Sequence, residues 1–191
     1  MSAIEIKPVT ADNWDLLEAL FAAHGTVRGC WCMYFRLTSR EFGDGWGDGN
    51  RDEMCRLVCD EGVVPGLIAI EDEEAVGWVS VAPREEFGRV QRSRVTKPVD
   101  DEPAWSIVCF YVKPGARRGG LTRALVDAAV EYAVDNGARL VEAYPYDTDE
   151  ARRSGIEIYY GVASTFRQAG FEEVERRSPH RPIMRLRPQG G

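Results

Sequence analysis

The chain has 191 residues, of which 44% are hydrophobic and 29% are charged, a balance that is ordinary for one globular domain with a buried core. Its formal net charge of −7 argues against general nucleic-acid binding, and no apolar run approaches the roughly 18 residues that cross a bilayer. We therefore expect one domain over residues 1–191, with its core at about 2–186, in a cytoplasmic protein without a signal peptide and without membrane or nucleic-acid partners.

The first half of the chain predicts one strand, three helices and a hairpin. Alternating apolar residues indicate strands, and apolar residues at helical spacing indicate helices. The glycine-rich stretch at residues 43–50 predicts a loop, for which a mobile flap over the acceptor site is one interpretation, and Asn50 predicts the N-cap of the next helix. In chain order, these elements are expected at residues 4–6, 10–22, 30–37, 51–60, 67–71 and 76–81.

The second half predicts a buried central strand at residues 107–112, after a polar, arginine-containing connection at 83–103. The next strand, at 140–144, is reached through a helix at 122–136, and such a crossover makes the two strands parallel. A helix and two strands complete the chain at residues 161–169, 171–177 and 183–186. This order predicts a three-layer α/β, or α+β, domain with a mixed sheet.

The most informative stretch joins the central strand to the helix after it. Val112 ends the apolar run, and the loop that follows carries two arginines and then two glycines at residues 117–120. A helix N-terminus offers unpaired N–H donors and the positive end of the helix dipole, and glycine lets the backbone approach a ligand closely. The stretch therefore predicts a site for a phosphate or pyrophosphate group.

Residues 117–122 read Arg-Arg-Gly-Gly-Leu-Thr and resemble motif A of the GNAT acyltransferase superfamily, Arg/Gln-x-x-Gly-x-Gly/Ala. Thr122 departs from the small residue that is usual at the last position, although its hydroxyl can still donate to a phosphate. Residues 162–171, which end in a Gly-Phe pair, are similar to motif B, and residues 77–79 to the strand entry before motif A. The segment at 30–35, Cys-Trp-Cys-Met-Tyr-Phe, resembles a subgroup found in actinobacteria.

The resemblance implies a mixed central sheet flanked by helices, with parallel strands that splay at the acyl-CoA site. It implies an N-acetyltransferase that moves an acetyl group from acetyl-CoA directly, in a ternary complex, to an amine of a small molecule or peptide. No metal is implied, and similar proteins are often homodimers. The acidic net charge weakly favours a cationic acceptor. The alternative is a GNAT-like module that binds acyl-CoA as a sensor without catalysing a reaction.

The resemblance also implies which residues contact coenzyme A. The backbone at the end of the central strand pairs with the pantetheine arm, an N–H near Phe110 faces the thioester carbonyl, and the N–H groups of the following loop hold the pyrophosphate. Phe166 stands where motif B often has a tyrosine, so it cannot donate a proton. The expected cofactor-binding residues are Phe110, Tyr111, Val112, Arg117, Arg118, Gly119, Gly120, Leu121, Thr122, Arg123 and Phe166.

Acyl transfer requires that the acceptor amine lose a proton, to a base or to water. Many superfamily members carry a glutamate on the strand before motif A, near Val108 here, where this chain has no acid. Glu142 is the preferred substitute, because a carboxylate in an apolar strand is costly unless it is paired or functional. Tyr144 is the preferred acid. A structural ion pair for Glu142 is the alternative, and the other candidate groups are Glu85, Asp100, Asp101, Glu102, Tyr159 and Tyr160.

The acceptor pocket is expected in the aromatic segment after the first helix, because this region usually shapes the pocket in the superfamily. Core packing is the alternative for each of these aromatic residues. The expected acceptor-binding residues are Trp31, Tyr34, Phe35 and Arg36, with Trp46 in the glycine-rich loop.

Five cysteines, an odd number, argue against a disulfide framework. The spacings of Cys30 with Cys32 and of Cys55 with Cys59 fit known zinc fingers poorly, so no metal is expected and a zinc site is the alternative. His24 and His180 are isolated in the sequence and are expected at the surface.

Overall fold

The computed structural model describes residues 4–23, 25–117, 119–148 and 159–188. The strands are β1 (Glu5–Pro8), β2 (Gly66–Glu71), β3 (Glu74–Pro83), β4 (Trp105–Val112), β5 (Val141–Ala143), β6 (Glu172–Ser178) and β7 (Arg181–Leu186). The helices are α1 (Trp14–Ala22), α2 (Gly25–Cys30), α3 (Ser39–Asp44), α4 (Asp48–Cys55), α5 (Gly88–Arg92), α6 (Leu121–Asp135) and α7 (Ala163–Gln168). None of the helices in these ranges has the length and apolarity of a bilayer-spanning helix.

The seven strands form one mixed sheet in the order β1-β2-β3-β4-β5-β7-β6. Within the described ranges, β4 and β5 are the one parallel pair of neighbouring strands, and α6 connects them, as the crossover predicts. Helices α6 and α7 pack on one face of the sheet and α1 packs on the other. The expected three-layer arrangement is therefore confirmed.

Helix α6 packs on the sheet through an apolar stripe. Its fully buried side chains recur at helical spacing, namely Leu121, Leu125, Val126, Ala129 and Ala133. Glycines with positive φ stand at both ends of this helix, Gly120 at +79° and Gly137 at +88°. Because these angles are strained for residues with a Cβ, the two glycines fix where the helix begins and ends.

Most of the glycine-rich stretch at residues 43–50 is helical, so the predicted loop is limited to residues 45–47, and the prediction that Asn50 caps a helix is wrong. Residues 43–44 end α3 and residues 48–50 begin α4, and α3 begins after Thr38, whose side chain caps it. Asn50 lies inside α4, where its buried side chain donates to the carbonyl of Gly29 at 3.0 Å. Trp46 covers Gly29 so closely that a Cβ there would lie 2.1 Å from the indole. Packing against α2 therefore holds this stretch in place.

The aromatic segment at residues 30–37 is also less regular than the predicted helix. Helix α2 ends at Cys30, and the next two residues, Trp31 and Cys32, adopt positive φ values of 48° and 55°. A short 3-10 turn, Met33–Phe35, follows. The reversal aims the Cys32 thiol at Cys109 in β4, with 2.9 Å between the two Sγ atoms.

The other close cysteine pair lies elsewhere, at Cys55 and Cys59, whose Sγ atoms are 3.3 Å apart. Across residues 4–23, 25–117, 119–148 and 159–188, no group of three or more histidine, cysteine or acidic side chains is arranged to hold a metal ion.

We expect Gly66→Ala to destabilise the sheet, because its Cβ would lie 2.1 Å from the carbonyl oxygen of Val79 on the neighbouring strand. Overpacking against backbone should lower the free energy of unfolding by about 2 kcal/mol or more, measured by urea denaturation. Gly49→Ala is the matched control, since nothing lies within 4 Å of its added Cβ. Equal stability of the two variants would contradict the packing described for β2 and β3.

Candidate active site

The parallel pairing of β4 and β5 stops early. It comprises three residue pairs, of which Ile107 with Ala143 is the last, whereas β4 continues to Val112. At this point the pairing of β4 with β3 shifts, so that Val108 is an extra residue in β4. A bulge of this kind bends its strand and increases its twist. The two strands therefore splay, and β4 has no ladder with β5 from Val108 onward.

A later part of the chain enters the splay. The N–H of Phe110 donates to the carbonyl of Tyr159 at 2.6 Å. On the side of β5, the N–H of Tyr146 donates to the carbonyl of Gly161, and the N–H of Ala163 donates to the carbonyl of Tyr146. The segment around Tyr159 to Gly161 thus bridges the two strands. The donor that the resemblance assigns to the thioester carbonyl is used within the protein.

Two phenylalanines form an apolar floor below this segment. Phe166 is fully buried and packs edge-to-face on Phe110, with ring centroids 5.9 Å apart. Gly161 passes over both rings with φ at +78°, and a Cβ there would lie 3.0 Å from Phe166 and 3.3 Å from Phe110. The expected contact of Phe166 with the cofactor stays a prediction, and its observed role is to support this floor.

Beyond the splay, β4 leads through a short turn to the N-terminus of α6. Gly120 is the N-cap residue, so no side chain caps the helix, and no acidic residue lies in its first turn. No capping side chain and no first-turn carboxylate therefore competes with a ligand for the first N–H groups of α6. Arg117 is exposed and its Nε donates to the carbonyl of Val112 at 3.1 Å. Arg118 lies outside the described residues.

The remaining residues predicted around this helix start differ in exposure. Gly119 and Gly120 are exposed, and no described atom lies within 4 Å of a Cβ added at Gly120. Leu121 is buried and anchors the helix to the sheet, while Thr122 is half-buried. Arg123 forms an ion pair with Asp127 one turn later at 2.8 Å. The helix start is thus exposed, and the first turn of α6 carries no acidic residue.

Glu142, the preferred base, lies in a buried ionic network. Its Oε1 accepts from Arg185, from Nε at 2.8 Å and from Nη2 at 2.7 Å. Its Oε2 accepts from Arg84 at 3.1 Å and from the hydroxyl of Tyr144 at 2.9 Å. The side chain is 1% exposed. Since both oxygens are engaged by protein donors, this geometry favours a structural ion pair.

Tyr144, the preferred acid, belongs to the same network. Its hydroxyl also shares a hydrogen bond with Ser106 at 2.9 Å, and burial raises the pKa of Tyr144 well above its usual value. Ser106 pairs with Glu142 in the sheet and precedes Phe110 by four residues, which is about 13 Å along a strand. Neither the carboxylate of Glu142 nor the hydroxyl of Tyr144 therefore lies beside the Phe110 N–H.

The alternative bases lie near the start of β4. Asp100 binds Arg185 through both oxygens, at 2.6 and 2.9 Å, and this hydrogen bonding lowers the pKa of Asp100 from 3.8 to about 2. Glu102 binds Arg187 through both oxygens, and that contact lowers the pKa of Glu102. The two other candidates, Glu85 and Asp101, are exposed. The first two carboxylates are thus paired ions and weak bases.

The residues expected in the acceptor pocket are not equally accessible. Trp31 is 3% exposed and packs against Trp14 and Phe21, at centroid distances of 6.1 and 5.6 Å. Phe35 is also 3% exposed and packs edge-to-face on Tyr160 at 5.2 Å. The environment of both rings is that of a hydrophobic core.

Tyr34 and Arg36 are associated with the α5 region. The guanidinium of Arg89 lies 3.9 Å above the ring of Tyr34, which is half-buried. Arg36 lies over Phe87 at 4.8 Å and pairs with Glu86 at 2.5 Å. Tyr34 is therefore the better placed of the two to meet an acceptor, since Arg36 already has a carboxylate partner.

Sequence reasoning missed how the tyrosines are arranged. The rings of Tyr34, Tyr159 and Tyr160 follow one another, at centroid distances of 6.5 and 4.4 Å, and we call them the tyrosine row. Arg181 lies 3.6 Å from the ring of Tyr160, at the opposite end of the row from Arg89. The many arginines in the connection at 83–103 could have identified Arg89 as a candidate, whereas no local sequence pattern singled out Arg181.

Comparisons with known proteins agree with this geometry. A model of the acetyltransferase (GNAT) family matches residues 31–170. A search of curated proteins finds no match to the chain. The fold resembles PaiA N-acetyltransferase of Thermoplasma acidophilum, solved with coenzyme A, with a TM-score of 0.52 and 13% identity over 97% of this chain and 99% of that one.

Two further structures give the same fold. A GNAT-family acetyltransferase described as putative, from Desulfovibrio desulfuricans, has a TM-score of 0.56 and 16% identity over 97% of this chain and 99% of that one. A polyamine N-acetyltransferase of Drosophila melanogaster, which forms N-acetylagmatine, has a TM-score of 0.56 and 13% identity over 97% and 100% of the two chains.

We expect Glu142→Gln to act mainly on stability. Loss of this charge leaves Arg84 and Arg185 with an uncompensated buried charge, which should lower the free energy of unfolding by about 3 kcal/mol. Urea denaturation measures the change, and Glu172→Gln on exposed β6 is the control. An unaltered unfolding midpoint combined with slower turnover would instead support Glu142 as the base.

The Asp100–Arg185 pair predicts a pH dependence of stability. The pKa of Asp100 is lower in the folded protein, so its stabilising contribution is complete above about pH 4 and is lost as the pH falls through about 2. Thermal denaturation between pH 5 and 2 should therefore show a steeper loss for the wild type than for Asp100→Asn. Asp101→Asn is the control, because Asp101 is the next residue in the chain and is exposed. Identical slopes for wild type and Asp100→Asn would exclude this linkage.

Proposed function

The chain belongs to the acetyltransferase (GNAT) family, and we propose that it transfers an acetyl group from acetyl-CoA to an amine by direct transfer in a ternary complex. One observation carries this proposal. The strand β4, which leaves β5 after Ile107, is followed within eight residues by the uncapped N-terminus of α6, whose N-cap residue is Gly120. An open strand edge followed by an anion site matches the two parts of coenzyme A, its amide-containing arm and its pyrophosphate.

The residues of the helix start would hold the pyrophosphate. The N–H groups at residues 119–123 supply donors, and Arg117, with Arg118, supplies positive charge in an otherwise acidic protein. The absence of a Cβ at Gly120 leaves room for close approach of the phosphates. The edge of β4 from Phe110 to Val112 would pair with the pantetheine arm.

The Phe110 N–H would stabilise the negative charge that develops on the thioester oxygen. In the structure this N–H donates to the carbonyl of Tyr159, so that carbonyl must release it before the thioester can accept from it. The amine nitrogen then forms a bond to the acyl carbon, the carbon–sulfur bond breaks, and the amine proton is transferred through water to the thiolate. A water path is favoured because Glu142 is held by Arg84 and Arg185.

The second candidate function is an acyl-CoA-binding sensor without catalysis. The engagement of both oxygens of Glu142 and the phenylalanine at Phe166, where a tyrosine often stands in motif B, favour this alternative. Acetylation of any amine above the rate without protein excludes it, whereas acetyl-CoA binding without turnover of any amine supports it.

We expect Gly120→Glu to abolish acetyl-CoA binding, raising the Kd by about 100-fold or more in calorimetry, because a carboxylate would occupy the anion site. Gly137→Glu is a closely matched control. It introduces the same charge at the other end of α6, about 22 Å away, at a similar φ and with nothing within 4 Å of the added Cβ. It should therefore suffer the same backbone strain and still bind. Equal affinity of the two folded variants would refute the proposed cofactor site.

A further inference from the structure

We propose that the acceptor of this enzyme carries a carboxylate group in addition to its amine, that Arg181 binds that carboxylate, and that Arg89 adds positive charge at the other end of the tyrosine row. The inference rests on the proposed function and specifies its substrate class. It begins from the two arginines that flank the tyrosine row.

Arg89 is fixed at one end of the row. Its Nε donates to the carbonyl of Tyr34 at 2.6 Å, and its guanidinium carbon lies 3.9 Å from the centroid of that ring, within the range of a cation–π contact. The side chain is half-buried, and no carboxylate of the described residues lies within 4 Å of it. The backbone contact leaves its remaining N–H groups available.

Arg181 is fixed at the other end in a similar way. Its guanidinium lies 3.6 Å from the ring of Tyr160 and 4.7 Å from that of Tyr146, and Nη2 donates to the carbonyl of Tyr144 at 3.1 Å. Its Nε is buried and has no hydrogen-bond partner among the residues that the structure describes. No carboxylate in these ranges forms an ion pair with it. A partly buried cation with an unused donor is a favourable site for an anion.

The row connects both arginines to the expected reaction centre. Tyr159, the middle ring, stacks on Tyr160 at 4.4 Å and faces Tyr34 at 6.5 Å. Its carbonyl accepts the hydrogen bond from Phe110, the expected donor to the thioester. An acceptor that approaches Phe110 from this side must therefore pass tyrosine rings bounded by two cations.

Other arginines nearby have carboxylate partners, which Arg89 and Arg181 lack among the described residues. Arg36 pairs with Glu86, and Arg84 and Arg185 both pair with Glu142. Guanidinium groups that are withdrawn from water generally have such partners, because an unpaired charge is costly there. A carboxylate supplied by the acceptor would give Arg181 the partner that it lacks, and the planar guanidinium matches the two carboxylate oxygens.

The same charges would assist the chemistry. A nearby positive charge lowers the pKa of an ammonium group and so increases the fraction of neutral, nucleophilic amine. This effect offsets the lack of a base beside Phe110 in the described part of the site. It also disfavours diamines, whose second cation would be repelled. The local charges thus reverse the weak expectation of a cationic acceptor drawn from the net charge of −7.

The test compares L-amino acids with the corresponding L-amino acid amides, which differ only in the carboxylate. Each is incubated with the wild-type protein and acetyl-CoA, and the acetylated product is quantified by mass spectrometry. We expect kcat/KM for the best amino acid to exceed that for its amide by about tenfold or more. Equal or faster acetylation of amides or of diamines would overturn the proposal and leave the proposed function standing.

Variants assign the effect to the two arginines. Arg181→Gln should reduce the acid-to-amide ratio by about tenfold and Arg89→Gln should reduce it by less, whereas Arg181→Lys should retain part of the ratio. The acetyl-CoA Kd should stay unchanged in all three, which shows that they fold. Arg40→Gln, on an arginine whose side chain is 91% exposed, is the control and should behave as wild type. A ratio that persists in both glutamine variants would overturn the assignment.

A binding measurement covers the case in which no amine is turned over. N-acetyl-L-amino acids and their amides are compared as ligands of the wild-type protein with coenzyme A, by thermal shift. The proposal is supported if the N-acetyl-L-amino acids raise the melting temperature of the wild type, their amides do not, and the increase is lost in Arg181→Gln. It is overturned if the melting temperature does not depend on the carboxylate. If the wild type does not bind acetyl-CoA in calorimetry, the proposed function itself fails, which is a separate result.

Discussion

The separation of β4 from β5 is the constraint on which the rest of the site depends. Their ladder ends at Ile107 and Ala143, and the extra residue Val108 bends β4 away from its neighbour. The N–H and C=O groups of β4 that would otherwise form hydrogen bonds with β5 can therefore pair with another extended segment. The position of the uncapped helix start follows from the same bend, because β4 leads through one short turn into α6.

A buried ionic network stabilises the sheet just before the strands separate. Arg84 follows β3, Glu142 lies in β5 and Arg185 in β7, and Asp100, whose side chain is 45% exposed, completes a set with two positive and two negative charges. Such a set is costly to assemble but more costly to leave incomplete. It connects three strands where the β4–β5 ladder still exists. The sheet is thus fixed on one side of the bulge and open on the other.

Sequence reasoning succeeded where the signal was local. The strand, loop and helix from Ile107 to Asn136 were predicted because apolar periodicity and paired glycines specify them over a short stretch. The structural partners of Glu142 stand 43 and 58 residues away along the chain, so an isolated acid in an apolar strand could be read as catalytic. Likewise, glycines at residues 43–50 suggested a loop, but residues 48–50 are helical, and Asn50 contacts α2, which lies 21 residues earlier in the chain.

The hydrogen bond between Phe110 and Tyr159 has an energetic consequence for ligand binding. The segment at Tyr159 acts as an intramolecular competitor for the edge of β4. For an acyl donor that pairs with this edge, the measured affinity is the difference between two pairing free energies, that of the donor and that of the segment it displaces. Residues that stabilise the segment, including Gly161 and the stacked ring of Tyr160, would then lower the affinity of the protein for such a donor.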